Sequence, residues 1–205
     1  MASKDNSVNI KNGVAAAARY HHGDLRAAAL AYGLTELASA RDPDLGLRAL
    51  ARAIGVSATA LYRHFPDKDA LLDALAGAGM AQLGALQARA AAAVGGGRDG
   101  FMESGFAYVR FARDNPALFR LTFSRAGRMA PGDDDPAALG QAQRLLYEGV
   151  AAMMPGEIAP AKRDVMALHA WSLVHGLAML ILDGRVAWDD AKLRQILALT
   201  FDMGD

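Results

Sequence analysis

Two short helical segments, separated by a glycine-centred break, constrain the fold of this chain more than any other stretch. The segment LRALARAI (residues 47–54) is followed by Gly55-Val56-Ser57, and a second segment continues to Phe65, where Pro66 ends it. Glycine adopts a positive φ without steric cost, and a serine hydroxyl caps the free amides of the helix that follows it. About eight residues, a three-residue break and about eight more residues predict a helix-turn-helix.

The apolar positions of this motif decide which side of the second helix is left outside. The side chains predicted to pack where the two helices cross are Leu50, Ala51, Ile54, Val56 and Leu61. With these committed inward, four positions of the second helix point outward, namely Ala58, Thr59, Tyr62 and Arg63. A helix of two turns is about 10 Å long and fits the major groove of B-DNA.

The rest of the chain also predicts helices, about nine in all, and no sheet, because no alternating apolar and polar run is bounded by turn residues. The stretches VGGGRDG (94–100) and PGDDDP (131–136) predict breaks. Besides the two short segments, the predicted helices cover residues 24–40, a stretch from about Asp67, residues 101–114, a short stretch after Pro116, and residues 137–154, 160–183 and 189–203.

Composition and charge exclude several classes of protein. The net charge is zero, which argues against a protein that coats nucleic acid non-specifically, but residues 1–64 carry eight Lys or Arg against five Asp or Glu. There is no cysteine, and the polar N-terminus lacks the apolar core of a secretory signal. No apolar run reaches about 18 residues, so we expect no membrane partner and a cytoplasmic location.

Two groups of residues carry a resemblance to a known family. The segment LRALARAIGVSATALYRHFPDKDALLDALA (47–76), with YHHGDLRAAAL (20–30) before it, resembles the DNA-binding segment of the TetR/AcrR family of transcriptional repressors. NPALFRLTF (115–123) and AWSLVHGLAMLILDG (170–184) resemble a subgroup whose ligand domain carries a Trp-x-x-x-His-Gly motif. The resemblance implies a flexible arm (1–19), a helix-turn-helix domain (20–67) and a helical domain for effector binding and dimerisation (68–205).

The resemblance also implies DNA contacts at individual positions. Arg48 would reach a guanine edge or a phosphate, the methyl groups of Ala58 and Thr59 would lie closest to bases, and Arg63 would read guanine with two hydrogen bonds. The other implied contacts are Ser57 at the start of the helix, Tyr62, His64 and Lys68 on phosphates, and Arg19, His21 and His22 ahead of the first helix. Many relatives have a Ser or Thr cap before the second helix, whereas this chain has Gly46.

A second set of residues is implied for a small-molecule effector. The region 101–154 is rich in Phe and Met, which are mostly core but also suit an apolar ligand in a cavity among helices. The implied ligand-binding residues are Phe106, Phe119, Phe123, Trp171 and His175. Whether His169 and His175 contact ligand or are structural stays open. No metal site, cofactor or catalytic arrangement is predicted from local spacing, so we expect a protein that is not an enzyme.

The last two helices predict self-association. Residues 162–183 are apolar on more than one face, and Leu193, Ile196, Leu197, Thr200 and Phe201 form a stripe at helical spacing. Two such helices meeting their copies across a two-fold axis predict a homodimer that presents two recognition helices to a palindromic DNA operator. The alternative is a helical interaction or adaptor protein of the same fold without specific DNA binding.

Overall fold

The computed structural model describes residues 25–39, 45–125, 140–153, 156 and 158–201. Within these ranges the chain forms nine α-helices and no β-strand, which confirms the predicted all-α architecture. The helices are α1 (Leu25–Ser39), α2 (Leu47–Ala53), α3 (Ala58–Tyr62), α4 (Lys68–Ala93), α5 (Gly97–Asp114), α6 (Pro116–Arg125), α7 (Gln141–Ala152), α8 (Pro160–Leu182) and α9 (Asp190–Phe201).

The first three helices bury apolar side chains against the start of α4, in a cluster that continues into the C-terminal helices. Leu50, Leu61 and Leu71 are fully buried in it, and Phe65 is 1% exposed. The guanidinium of Arg26 lies 5.5 Å from the centre of the Phe65 ring. Helices α2 and α3 are too short to be stable without packing, so both depend on the burial of these side chains. The same buried contacts fix the angle between the two helices.

Helix α4 connects the N-terminal helices with the C-terminal ones. It contacts α1 near its start and α5, α6 and α7 along its length. As predicted, Asp67 caps it, with its Oδ1 accepting the Ala70 N–H at 2.8 Å. Its buried stripe repeats every four residues, as expected for one helix face. The stripe consists of Leu71, Leu75, Gly79, Leu83 and Gln87.

The turn between α4 and α5 is shorter than the break predicted over residues 94–100. Gly95, Gly96 and Gly97 all have positive φ, which ends the helical path after Ala93, and α5 already begins at Gly97. The predicted break at residues 131–136 lies outside the described residues.

The C-terminal helices are arranged around α5, which packs against α4, α6, α7, α8 and α9. Apart from α5, helix α8 packs substantially only on α7. Large apolar side chains of both α8 and α9 therefore stay exposed, and these are Val165 (68%), Leu168 (52%), Leu180 (44%) and Leu199 (66%).

Helix α8 is long and apolar enough to cross a membrane, judged by length and composition alone. Its most apolar 18 residues have a mean hydropathy of 1.8, and 22% of that stretch is buried. The expectation that no apolar stretch is long enough to span a membrane is wrong for α8. His175 and Gly176 interrupt the run but lower its mean hydropathy too little. In the folded chain α8 packs on α5 and α7 as part of the helical bundle.

Candidate functional site

The turn between α2 and α3 has a backbone conformation that favours glycine. Gly55 has a φ of +74°, and nothing lies within 4 Å of the position that a Cβ would take. The Gly55 N–H donates to the Arg52 carbonyl at 3.3 Å, and the Val56 N–H donates to the Ala51 carbonyl at 2.9 Å. Conformation rather than crowding therefore selects glycine at this turn.

Replacing Gly55 by alanine is expected to destabilise the protein by about 1–2 kcal/mol, because an L-residue would be held at positive φ. Gly77 is the matched control, since it lies in the interior of α4 with open space around its Cβ position. Gly77→Ala is expected to stabilise by roughly 0.5–1 kcal/mol. Chemical denaturation measures both variants, and a stabilising effect of Gly55→Ala would contradict the conformational argument.

Helix α3 is shorter than predicted, because it ends at Tyr62 and not at Phe65. Ser57 caps its start, with its Oγ accepting the Ala60 N–H at 3.2 Å. At its end, the N–H groups of His64 and Phe65 both donate to the Leu61 carbonyl at 2.9 Å. Proline disfavours helical geometry in the residue before it, so the chain tightens into a turn ahead of Pro66.

The residues implied as DNA contacts are grouped on the surface around α3. The exposed ones are Arg48, Ser57, Thr59, Tyr62, Arg63, His64 and Lys68. Ala58 differs, because it is half-buried and packs against the hydrophobic core. Arg48, Arg63 and Lys68 form no ion pair with the described part of the chain. Their charges are therefore available to an anion.

Two further expectations concern the flanks of the motif. Gly46 is the N-cap of α2 and has no side-chain cap hydrogen bond, as its sequence predicts. Arg19, His21 and His22 lie outside the described residues, as does the predicted arm over residues 1–19.

A cluster of aromatic rings joins α5, α6 and α8. The His175 ring centre lies 5.6 Å from that of Phe119, 4.9 Å from that of Phe123 and 5.6 Å from that of Trp171. Phe119 and Phe123 are themselves 4.7 Å apart. Four of the five residues implied for an effector thus meet in one place, and Tyr108 completes the cluster.

Phe106, the fifth implied residue, belongs to a different group of contacts. Its ring centre lies 5.6 Å from that of Trp188, and the Arg194 guanidinium lies 4.1 Å from the Phe106 ring. Phe106 and Tyr108 are two positions apart on α5, which turns their side chains to nearly opposite sides of the helix. Phe106 therefore holds α9 and the segment before it against α5.

Tyr108 joins Trp171 and His175 of the aromatic cluster through its hydroxyl group. Trp171 Nε1–H donates to the Tyr108 hydroxyl oxygen at 3.2 Å, and the Tyr108 hydroxyl lies 2.8 Å from His175 Nδ1. Indole nitrogen only donates, so the Tyr108 hydroxyl accepts from Trp171 and keeps its own proton for Nδ1 in the imidazole tautomer that is protonated on Nε2. Burial raises the pKa of Tyr108 and lowers the pKa of His175, so both groups favour the neutral form.

Comparison with protein families covers both halves of the chain. Residues 34–75 match the family of bacterial regulatory proteins of the tetR type, and residues 101–203 match the tetracyclin repressor-like C-terminal domain. The chain belongs to the TetR family of transcriptional regulators. TetR-family regulators bind DNA through this helix-turn-helix and are not enzymes. No curated protein matches the chain.

Two solved structures are similar to this TetR-family chain over nearly its whole length. One is a protein of unknown function from Rhodococcus sp. RHA1, 31% identical, covering 90% of this chain and 95% of its own, with a TM-score of 0.62. The other is SCO4313, described as a candidate regulatory protein, 25% identical, covering 89% of this chain and 96% of its own, with a TM-score of 0.64.

The TetR-family chain also contains a polar clamp that sequence reasoning missed. On α6, Arg125 donates through Nη2 to Asp69 Oδ1 at 2.6 Å and through Nη1 to Asp73 Oδ1 at 2.9 Å. Nη1 also donates to the Asp69 carbonyl at 3.3 Å. Partners this far apart in sequence leave no local signal. The clamp ties the end of α6 to the first two turns of α4, directly after Lys68.

Helices α6 and α4 also cross closely beside the clamp. A Cβ on Gly79 would lie 2.2 Å from Thr122 Oγ1 and 2.9 Å from Leu118 Cδ1, so only glycine fits there without movement. Leu118, Thr122 and Arg125 thus form the side of α6 that packs against α4. Phe119 and Phe123 form the side that reaches the aromatic cluster, so α6 connects the cluster with the start of α4.

The two histidines of α8 are not part of a cluster of metal-ligating side chains within the described residues. His169 is exposed and His175 is half-buried on α8. No three His, Asp or Glu side chains converge anywhere in the described part of the chain. A Cβ on Gly176 would meet nothing within 4 Å in the described part of the chain, so no neighbouring helix crosses closely at Gly176 there.

Proposed function

We propose that this TetR-family protein is a repressor that binds a palindromic operator as a homodimer and leaves it when a small-molecule effector binds. The observation that carries the proposal is the exposed edge of α3. Thr59, Tyr62 and Arg63 lie at the surface there, and Arg48 and Lys68 beside them have no ion-pair partner among the described residues. These five side chains place one hydroxyl, one phenol and three cations around a capped turn. An ordinary solvent-exposed helix surface does not require these groups together, whereas binding to DNA does.

The proposed roles follow from the chemistry of each side chain. Arg63 and Arg48 are the proposed base readers, since arginine pairs with guanine O6 and N7. Thr59 and the half-buried Ala58 would bring their methyl groups to thymine. The proposed phosphate contacts, which fix the register of the protein on the duplex, are Ser57, Tyr62, His64 and Lys68.

The homodimer is supported by exposed apolar side chains of α8 and α9. The α9 stripe predicted from the sequence is not among them, because Leu193 and Leu197 are buried within the protomer. Val165, Leu168 and Leu180 on α8 and Leu199 on α9 are each at least 44% exposed. Large exposed apolar patches mark interaction sites in soluble proteins, and these four side chains are proposed to belong to one such patch. A two-fold axis through it would form a four-helix interface and set two α3 helices about 34–36 Å apart on one face of the duplex.

The effector is proposed to act on the aromatic cluster in the helical domain over residues 68–205, with residues 20–67 as the DNA-binding domain. Phe119, Phe123, Trp171 and His175 are the proposed contacts, and the Trp-x-x-x-His-Gly motif supplies the last two. The cluster is largely apolar, so a largely apolar effector suits it, and we expect the protein to work in the cytoplasm without a cofactor.

The route from effector to DNA is proposed to run through α6. Displacing Phe119 or Phe123 would move α6, whose opposite side holds the start of α4 through Arg125, Asp69 and Asp73. Lys68 and the helix-turn-helix would move with α4. An effector shifts this equilibrium only by its differential affinity for the two positions of α4.

Selection of bound duplexes from random DNA tests the proposed function directly. We expect the full-length protein to enrich an inverted repeat with half-sites one helical turn apart and to protect it in footprinting. Binding to the selected duplex should exceed binding to a scrambled one by about 1,000-fold or more at physiological salt. Equal affinity for both duplexes would favour the adaptor protein instead.

A further inference from the structure

The polar clamp of Arg125, Asp69 and Asp73 brings a guanidinium to the end of α4 that carries Lys68. The two carboxylates are largely exposed, at 77% for Asp69 and 64% for Asp73, whereas the Arg125 side chain is 25% exposed. Each carboxylate has Arg125 as its ion-pair partner, and neither has a second one among the described residues. Compensation of both negative charges at this surface therefore depends on one residue of α6.

Both carboxylates lie close to the position at which Lys68 is proposed to bind phosphate. Asp69 and Asp73 follow Lys68 on α4, about 1.5 and 7.5 Å further along the helix axis. Their four-residue spacing puts them on one side of α4, about 40° apart. Charges interact over about 8 Å at physiological ionic strength, so a phosphate bound by Lys68 would be repelled by both carboxylates unless a cation compensates them.

Helix α4 itself supplies little positive charge for that purpose. Lys68 is the one Lys or Arg within residues 66–88, and the same stretch begins with three aspartates, at positions 67, 69 and 73. Asp67 caps the helix, so its charge is complemented by the free amides and the dipole of the helix N-terminus. The carboxylates of Asp69 and Asp73 are left for Arg125.

We infer that Arg125 keeps the start of α4 attractive to DNA by neutralising Asp69 and Asp73, a role separate from tying α6 to α4. The inference rests on the proposed function, and Arg125 acts in it through the two carboxylates and not by touching DNA. It also adds a second effect to any movement of α6. Once Arg125 leaves, two uncompensated carboxylates repel the phosphate beside Lys68, so release from DNA is favoured by charge as well as by geometry.

Arg125→Met tests the inference, because it removes the charge and keeps an unbranched side chain. Binding of the full-length protein to the selected operator is measured by fluorescence anisotropy across a salt series. We expect affinity to fall about three- to tenfold at roughly 50 mM salt and the deficit to shrink below about twofold at roughly 300 mM, where ions screen the carboxylates. A purely structural role of the polar clamp predicts a deficit of the same size at every salt concentration.

The triple variant Arg125→Met, Asp69→Asn, Asp73→Asn removes the polar clamp together with both negative charges. We expect it to bind the operator at least as tightly as the parent at low salt, since no repulsion is left to compensate. Arg120→Met is the matched control, because Arg120 is on the same helix but pairs with Asp183 at the end of α8. It loses the same charge without freeing a carboxylate of α4, and its operator affinity should stay within about twofold of the parent's.

A salt-independent deficit in Arg125→Met, or a triple variant as weak as Arg125→Met, would overturn the inference. Parental affinity of Arg125→Met at low salt would overturn it too. The comparison can also be read on a scrambled duplex, because every duplex presents phosphates. A parent that binds operator and scrambled duplex alike therefore ends the proposed function while the role of Arg125 is still decided, and a parent that binds neither duplex overturns both.

Discussion

Leu168→Asp is expected to convert the protein to a monomer and to lower its affinity for the palindromic operator by about 100-fold or more. Leu168 is 52% exposed in the middle of α8, so the substitution breaks nothing inside the protomer. In a two-fold interface the aspartate would appear twice, near its own copy, and both charges would lose water. A monomer places one α3 on one half-site and loses the gain from binding two linked sites together.

Analytical ultracentrifugation gives the oligomeric state of this variant, and fluorescence anisotropy gives its operator affinity. Leu199→Asp on α9 should behave alike, because Leu199 is 66% exposed on the same proposed interface. Val94→Asp is the matched control, since Val94 is 48% exposed at the end of α4 and belongs to neither helix of the proposed interface. A dimeric Leu168→Asp variant with parental operator affinity would remove α8 from the interface.

The DNA-binding half could be predicted from the sequence because its signals are local. Gly55, Ser57, Pro66 and Asp67 each act within a few residues through φ, a cap or a proline constraint, and the structure has the turn and both caps where the sequence predicts them. The error at the end of α3 has the same local origin. Pro66 constrains the backbone of Phe65 directly, but α3 has already ended at Tyr62, with Arg63 as its C-cap.

The helical domain could be predicted only as a set of helices, because its specific contacts join residues far apart in sequence. Tyr108 meets His175 across 67 positions and Arg125 meets Asp69 across 56. Phe106 and Phe119 were both expected to contact the effector. Phe106 instead points from α5 toward Trp188 and Arg194, away from the aromatic cluster that contains Phe119.

The exposed side of α8 shows what a single chain leaves undetermined. Helix α8 is apolar on more than one face, which predicts that other helices cover it. Within the protomer α5 and α7 cover only part of the α8 surface. The sequence predicts the need for a partner, and the fold then restricts the open positions to one run along the helix from Val165 to Leu180. The dimer experiment above tests that run directly.

Arg63→Ala is expected to weaken operator binding by about 10- to 100-fold and to flatten the preference for one base pair in each half-site. Arg63 is exposed, follows α3 directly and has no ion-pair partner in the described part of the chain, so its guanidinium is not engaged before DNA binds. A bidentate contact to guanine supplies about 1–3 kcal/mol of discrimination, which the variant loses. Its stability should stay within about 0.5 kcal/mol of the parent, because the side chain is at the surface.

Lys68→Ala is the matched control, because it removes the same charge from a neighbouring exposed position that is proposed to contact phosphate. It should weaken binding to operator and to single-base variants of it by the same factor, and reduce the slope of log affinity against log salt concentration by about one per contact. Measuring both proteins on the operator and on duplexes substituted at each position separates the two roles. If Arg63→Ala also loses affinity uniformly across those duplexes, Arg63 is a phosphate contact, and base reading falls to Arg48 and the methyl groups of α3.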